Sequence, residues 1–265
     1  MPEIIVSELA IYPVKSLGQI TLTTSTLETF GLQHDRRWMV IDTNQHMLTQ
    51  RQQSRMCLIQ VTLATNGILL TAPGITDLEV RQPDSIDKRQ VTVWKDTCTA
   101  YDAGDAAASW LSKFLNVPCR LVYFPDDEFR AVDPNYAKAG DKTAFSDGFP
   151  ILLTSIASLD DLNNKIGVPL SMQRFRPNIV VSGNTAYAED NWKRIKIGDI
   201  TMRVVKPCSR CIIPSIDPQT ADRGEQPTRA LVQYRKKGNK VFFGQNVITD
   251  KAGIISVGMP IEILE

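Results

Sequence analysis

Apolar and polar positions alternate in short runs along most of this chain, and turn-forming residues bound many of the runs. That pattern predicts β-strands. The N-terminal half offers such runs at residues 4–11, 38–41, 57–63, 68–71, 90–94 and 120–124. The C-terminal half offers them at 179–181, 194–197, 201–205, 240–243 and 260–264. Asp42-Thr43-Asn44-Gln45 and Thr65-Asn66-Gly67 have the chemistry of hairpin turns. A helical period is found at two places. Residues 105–115 put Ala107, Trp110, Leu111 and Phe114 on one face, with Asp105 as candidate N-cap. Residues 158–166 put Leu159, Leu162 and Ile166 together, with Ser158 as cap and Asp160 and Asp161 in the first turn.

The polar stretch 125–148 has few apolar anchors and predicts a linker or mobile loop. It divides the chain into two units, 1–125 and 126–265. A second loop is predicted at 217–227, rich in Pro, Asp, Gly and Gln. The fold class is therefore mainly β (α+β): two β-rich units, each with a helix or two. Closed or nearly closed barrels are a common way for such units to avoid open sheet edges.

Composition narrows the function. In 265 residues the net charge is +1, which excludes a strongly basic nucleic-acid footprint but leaves room for a local basic pocket. No apolar run approaches the ~20 residues that span a bilayer. The N-terminal residues 1–6 lack the basic and apolar regions of a signal peptide. The expected location is cytoplasmic. Five cysteines, an odd number spread thinly, do not form a disulfide framework. The only histidines are His34 and His46, which removes most Cys/His zinc sites and most His-based triads.

The sharpest local motif is Lys206-Pro207-Cys208-Ser209-Arg210-Cys211, where a strand runs into a loop. Two thiols three apart can chelate a metal or form a redox disulfide. Zinc needs two further ligands, and the other cysteines and both histidines are distant in sequence. A thioredoxin-like pair opens a helix, but Ile212-Ile213-Pro214 is poor helix material. What is left is one reactive thiolate supported by Lys206 and Arg210, or a buried inert pair. Three basic sites adjoin strands: Tyr12-Pro13-Val14-Lys15-Ser16, Asp35-Arg36-Arg37-Trp38 and Phe175-Arg176-Pro177-Asn178. Cations beside Ser, Asn and free backbone N–H groups can hold a phosphate, or can be solvated surface charge. Phe243-Gly244-Gln245-Asn246 can admit a ligand to the backbone or simply turn a strand end.

Taken in order with Thr49-Gln50-Arg51-Gln52 and Asp147-Gly148-Phe149-Pro150, these segments resemble the MOSC family over nearly the whole chain. They are most similar to its YcbX and mitochondrial amidoxime-reducing subgroup. The resemblance implies an N-terminal MOSC-type β-barrel domain followed by a MOSC β-barrel domain with a few helices. It implies a molybdenum cofactor, molybdenum on a pterin dithiolene, with Cys211 as the protein's ligand to the metal. Lys15, Ser16 and Arg36 match positions that grip the cofactor. Arg176, Asn178, Ser209 and Arg210 match further contacts, as do Thr154, Ser155, Gln245 and Asn246. Asp217 is the candidate proton donor. The cofactor is expected in the cleft between the halves.

The implied activity is reduction of small N-hydroxylated compounds: amidoximes, hydroxamic acids and N-hydroxylated bases. No nucleic-acid polymer or membrane is implied as partner. The subgroup usually carries a C-terminal ferredoxin domain, whose cluster needs four cysteines that are missing here. Either the sequence is part of a longer protein or electrons come from a separate ferredoxin- or flavin-type partner. The family often has Gly soon after the Asp-Pro that follows the cysteines. Here Asp217-Pro218 continues as Gln219-Thr220, which implies a different loop at the site's border. Two other readings stay open. One is a sulfur carrier using a Cys211 persulfide, since MOSC domains also occur fused to a pyridoxal-phosphate desulfurase. The other is a molybdenum-cofactor binding protein without turnover.

Overall fold

The computed structural model describes residues 3–84 and 86–265; Met1, Pro2 and Ser85 lie outside the described residues. The chain is mainly β, as expected, with α-helices at Asp105–Leu115 (α1), Ile156–Ile166 (α2) and Thr228–Tyr234 (α3).

The largest sheet is ordered Ile261–Ile263, Arg194–Ile197, Ile200–Ser209, Lys240–Thr249, Ile151–Ser155, Ile179–Ser182, Ile5–Ile11, Ile20–Leu22. Neighbours run antiparallel except Ile151–Ser155 and Ile179–Ser182, which are parallel. Parallel strands need a long crossover, and α2 lies in that connection. A second sheet orders Trp38–Ile41, Arg120–Tyr123, Asp96–Asp102 and Lys88–Val93. A third is the meander Gln60–Ala64, Gly67–Ala72, Ile75–Arg81.

Chain order and sheet membership part company at the N-terminus. Ile5–Ile11 pairs with Ile179–Ser182, and Thr24–Glu28 pairs with Gly253–Ser256. The first strands are thus built into sheets of the C-terminal half. Val6, Leu9 and Ile11 pack there with Leu153, Val181 and Val247. A separate core forms where α1 lays Trp110, Leu111 and Phe114 against Val40, Leu121 and Trp38. Each such fully buried apolar side chain contributes about 1.5–3 kcal/mol.

Several local expectations are corrected. The N-cap of α1 is Gly104, with no side-chain cap, and the Asp105 carboxylate pairs with Arg120 at 2.9 Å instead. Helix α2 starts two residues early, at Ile156, and its cap moves back by three. Ser155 is its cap, accepting the Ser158 N–H at 3.1 Å, so Asp160 and Asp161 fall beyond the first turn. Cys57 and Leu58 belong to a 3₁₀ turn, Ser54–Leu58, and the strand begins at Gln60. Trp94 leaves the predicted strand for a two-residue hairpin turn with Lys95, at φ +58°. Tight hairpins demand that left-handed conformation. Ile151–Ser155 went unpredicted because hydrogen-bonded strands flank it and every residue is buried, so no alternation shows. Helix α3 was also unforeseen. The predicted linker carries Phe145 and Ala144 in a core, and Arg130 donates to the carbonyls of Ala144 (2.8 Å) and Ser146 (2.7 Å).

Asp102 anchors the N-terminal half. Its carboxylate accepts from Arg89, from Arg120 Nε (2.6 Å) and Nη2 (2.8 Å), and from the Gly104 N–H that opens α1 (2.7 Å). Desolvation works against ionisation, yet these donors outweigh it, and the carboxyl sits below its ordinary value. A depressed folded-state value means stability fully present above the unfolded value near 4 and lost as pH falls through the folded one. Asp102→Asn should therefore flatten the acid side of the melting-temperature profile below about pH 4 and cost about 2–4 kcal/mol at neutral pH. Thermal denaturation from pH 2.5 to 7 checks both.

Candidate functional site

Three segments at strand ends converge on one cleft. The segment 12–16 follows Ile5–Ile11 and is zipped to 36–38: Arg36 N–H donates to Tyr12 C=O (2.9 Å), Trp38 N–H to Pro13 C=O (2.9 Å) and Lys15 N–H to Trp38 C=O (2.8 Å). Gln50, itself buried, donates its amide to Ser16 C=O at 2.7 Å. The segment 175–178 enters Ile179–Ser182, and 208–211 leaves Ile200–Ser209. Ser16, Arg36 and Arg176 all hold left-handed backbone (φ +69°, +47° and +57°). Non-glycine residues bear that cost where the surroundings fix them, and such residues cluster at ligand sites.

The inner chamber is lined by Lys15, Ser16, Arg36, Thr49, Arg176, Asn178 and Ile213, among others. A shallower outer chamber is lined by Trp94, Lys206 and Pro207. Arg51, Asp147, Phe149, Cys208, Ser209, Arg210, Cys211 and Asn246 line both. Cys211 is thus one of the residues shared by the two chambers.

The cations are held by a dense scaffold. The guanidinium carbons of Arg36 (4.4 Å) and Arg176 (4.1 Å) both lie over the Tyr12 ring. Arg36 Nη1 donates to Asp35 (2.6 Å) and to Asn178 Oδ1 (2.9 Å), and its Nη2 to Arg176 C=O (3.0 Å). Arg176 Nη1 donates to Leu17 C=O at 2.7 Å, and Arg210 Nη2 to Phe175 C=O at 2.7 Å. Burial sets the ionisation of these groups. It pushes the Tyr12 hydroxyl up to about 12 and pulls the Arg176 guanidinium down to about 10. It pulls the Lys15 ammonium below its ordinary value, against the opposing pull of Asp147, whose carboxylate it meets at 2.6 Å.

Two guanidinium nitrogens in this scaffold have no partner. Arg176 Nη2 and Arg210 Nε are buried and unpaired. An unmet buried donor costs about 1–3 kcal/mol, more when charged. Both nitrogens are shut off from the cleft, but the guanidinium groups that carry them line it with Lys15 and Arg36, and the resulting positive charge suits an anionic group such as a phosphate. The thiol adds a soft ligand. Among the described residues, no cluster of three or more His, Cys, Asp or Glu could hold a metal alone, so a metal bound here by Cys211 must bring its other ligands with it. The residues present therefore fit a pterin-phosphate molybdenum cofactor.

The cleft gathers Lys15, Ser16, Arg36, Arg176, Asn178, Ser209, Arg210, Cys211 and Asn246. Four sequence candidates lie elsewhere. Thr154 donates to the Met172 sulfur (3.2 Å), Ser155 caps α2, and Gln245 donates to Asp190 (2.6 Å). These three lie on strands that border the cleft, and their side chains are buried and bonded to other parts of the fold. Asp217 pairs with Arg174 at 2.5 Å and caps the Gln219 N–H, and it is not among the residues that line either chamber. The cations expected to act on the thiol are engaged elsewhere. Arg210 Nη1 donates to Cys208 Sγ (3.1 Å), and Lys206 Nζ lies over the Tyr136 ring (4.3 Å). Cys211 Sγ instead accepts the Ile213 N–H at 3.5 Å. Burial pushes the Cys57 and Cys98 thiols up to about 11 and about 12, which leaves them inert. Thr49, Arg51, Asp147, Phe149 and Trp94 are cleft residues the sequence reading did not select. All but Trp94 sit in segments that carried the family resemblance.

A family model described as the MOSC N-terminal beta barrel domain matches residues 3–118, and one described as the MOSC domain matches residues 140–262. Mitochondrial amidoxime-reducing component 1 of Mus musculus is 35% identical, covering 98% of this chain and 82% of its own. The Homo sapiens protein of that name is 34% identical with the same coverage. Mitochondrial amidoxime reducing component 2 of Rattus norvegicus is 34% identical over 97% of this chain and 82% of its own. The solved structure of the YUAD protein from Bacillus subtilis superposes with a TM-score of 0.45 at 13% identity, over 98% of this chain and 97% of that one.

Proposed function

The chain belongs to the MOSC family, and on that footing we propose that it is a molybdenum-cofactor-dependent reductase of N-hydroxylated compounds, acting on amidoximes and N-hydroxylated bases with electrons from a separate Fe–S or flavin protein. The observation that carries this reading is the gathering of four cations, Lys15, Arg36, Arg176 and Arg210, around a chamber that the Cys211 thiol also lines. The relatives' names supply the substrate class.

When bound, the cofactor supplies the two-electron chemistry that turns an N–OH group into N–H and water. The chain's own groups prepare for it. Lys15, Arg36, Arg176 and Arg210 hold the anionic end, and the Asn178 amide fixes Arg36 in place. Cys211 offers its sulfur at the junction of the two chambers, supported by the Ile213 N–H. Pinning of 12–16 to 36–38 fixes the cradle before binding, so little is lost in ordering it. The cytoplasm, where Cys57, Cys98 and Cys119 would stay free thiols, is the proposed location. Among the described residues no helix is long and apolar enough to cross a membrane.

Elemental and pterin analysis of protein from a host that makes the cofactor should find about one molybdenum and one pterin per chain, together with benzamidoxime reduction from an artificial electron donor. Protein lacking both metal and pterin would defeat the proposal.

A further inference from the structure

We propose that Trp94 and Asp147 form the substrate-selecting mouth of the cleft, shaped for a flat aromatic group that carries an amidine-type nitrogen. This rests on the reductase reading and names the part of its substrate class that the geometry favours.

Trp94 is 45% exposed, whereas Trp38, Trp110 and Trp192 are no more than 8% exposed. It holds the left-handed conformation that a residue other than Gly adopts at a cost of about 1–2 kcal/mol. The Arg51 guanidinium lies 4.3 Å from its ring centroid, and its indole N–H donates to Asp147 Oδ1 at 3.1 Å. The ring is therefore fixed at the outer chamber, which Cys211 also lines. A large, oriented π surface at a cleft mouth stacks planar groups in preference to aliphatic ones.

Asp147 adds the polar half. It is the one carboxylate among the residues lining either chamber. Oδ1 takes Lys15 and Trp94, while Oδ2 has no hydrogen-bond partner among the described residues. Its backbone is rigidly placed, because Arg130, tied to Asp96 at 2.7 Å, grips the preceding carbonyls of Ala144 and Ser146. A fixed carboxylate at the indole edge, with one oxygen free, receives N–H donors. Amidines and amidoximes carry such donors beside the reacting nitrogen.

The test is calorimetric binding of three probes to the 265-residue chain: benzamidine, acetamidine and benzamide. Benzamidine should bind about tenfold more tightly than acetamidine, which lacks the ring, and about tenfold more tightly than benzamide, which lacks the cationic nitrogen. Trp94→Ala should erase the first preference and Trp94→Phe should keep most of it. Asp147→Asn should erase the second preference and leave the first. In turnover, Trp94→Ala should raise KM for benzamidoxime about tenfold with kcat within twofold, and leave KM for acetamidoxime unchanged. Equal binding of the three probes, no measurable benzamidine binding, or unchanged benzamidine affinity in Trp94→Ala would overturn the proposal. If the chain reduces no amidoxime but shows the two binding preferences, the reductase reading fails and the mouth assignment stands.

Discussion

Cys211→Ala is expected to lower benzamidoxime reduction by on the order of a thousandfold, equivalent to about 4 kcal/mol of lost barrier reduction, while Cys208→Ala stays within about tenfold of the parent. The two thiols are three residues apart and line the same cleft, so sequence proximity cannot separate them. Their surroundings do. Cys208 Sγ is engaged by Arg210 Nη1 at 3.1 Å, and its removal costs about one charge-assisted hydrogen bond, roughly 1.5 kcal/mol. Cys211 Sγ has only the Ile213 N–H at 3.5 Å and is left open to a soft metal. Activity should be followed with molybdenum content measured on the same samples. Metal should fall with Cys211→Ala and persist with Cys208→Ala. The opposite order would move the ligand to Cys208, and equal loss in both would point to a jointly held pair.

Asn178→Ala should cost about 3–5 kcal/mol of stability and lower the melting temperature by roughly 6–15 °C. Asn178 is 1% exposed and its amide joins segments remote in sequence. Oδ1 accepts from Arg36 Nη1 (2.9 Å) and the Leu152 N–H (3.1 Å), and Nδ2 donates to Ala10 C=O (3.2 Å). Truncation leaves those groups unmet in a place water does not readily reach, and an orphaned buried polar group costs more than the bond it lost. The same change frees Arg36, so binding of an anion at the cleft should weaken with stability. Asn178→Asp keeps the acceptor but not the amide donor, and should fall between the parent and Asn178→Ala in a thermal melt. A loss under 1 kcal/mol for Asn178→Ala would show that the amide does not hold these segments together.

How much of this was legible in the sequence varies with how local the cause is. The runs 38–41, 120–124 and 194–197 are half-buried or flanked by clear turns, and they are strands. Helix α1 is found where its apolar face predicts it, because that face is a property of the segment. Ile151–Ser155 was missed because burial on both faces erases the period of two. Trp94 looked like the end of an apolar run, and only the pairing of Val93 with Asp96 turns it into a hairpin corner. Within the site, Lys15, Arg36, Arg176 and Cys211 were selected from motifs and do share a cleft. Gln245 was selected on the same grounds and points instead to Asp190. One residue on, Asn246 lines the cleft, because alternate strand residues face opposite ways.

By itself the sequence determined the mainly β class, the family, and the set of cations and thiols available for chemistry. These are properties of residue type and short-range order, which need no partner. Only the tertiary structure decided that Ile5–Ile11 is built into the sheet of the C-terminal half, that Lys15, Arg176 and Cys211 face one chamber, and that Trp94 and Asp147 stand at its mouth. Those facts depend on strand pairing across more than a hundred residues and on which side chains burial leaves without partners, neither of which any local pattern encodes.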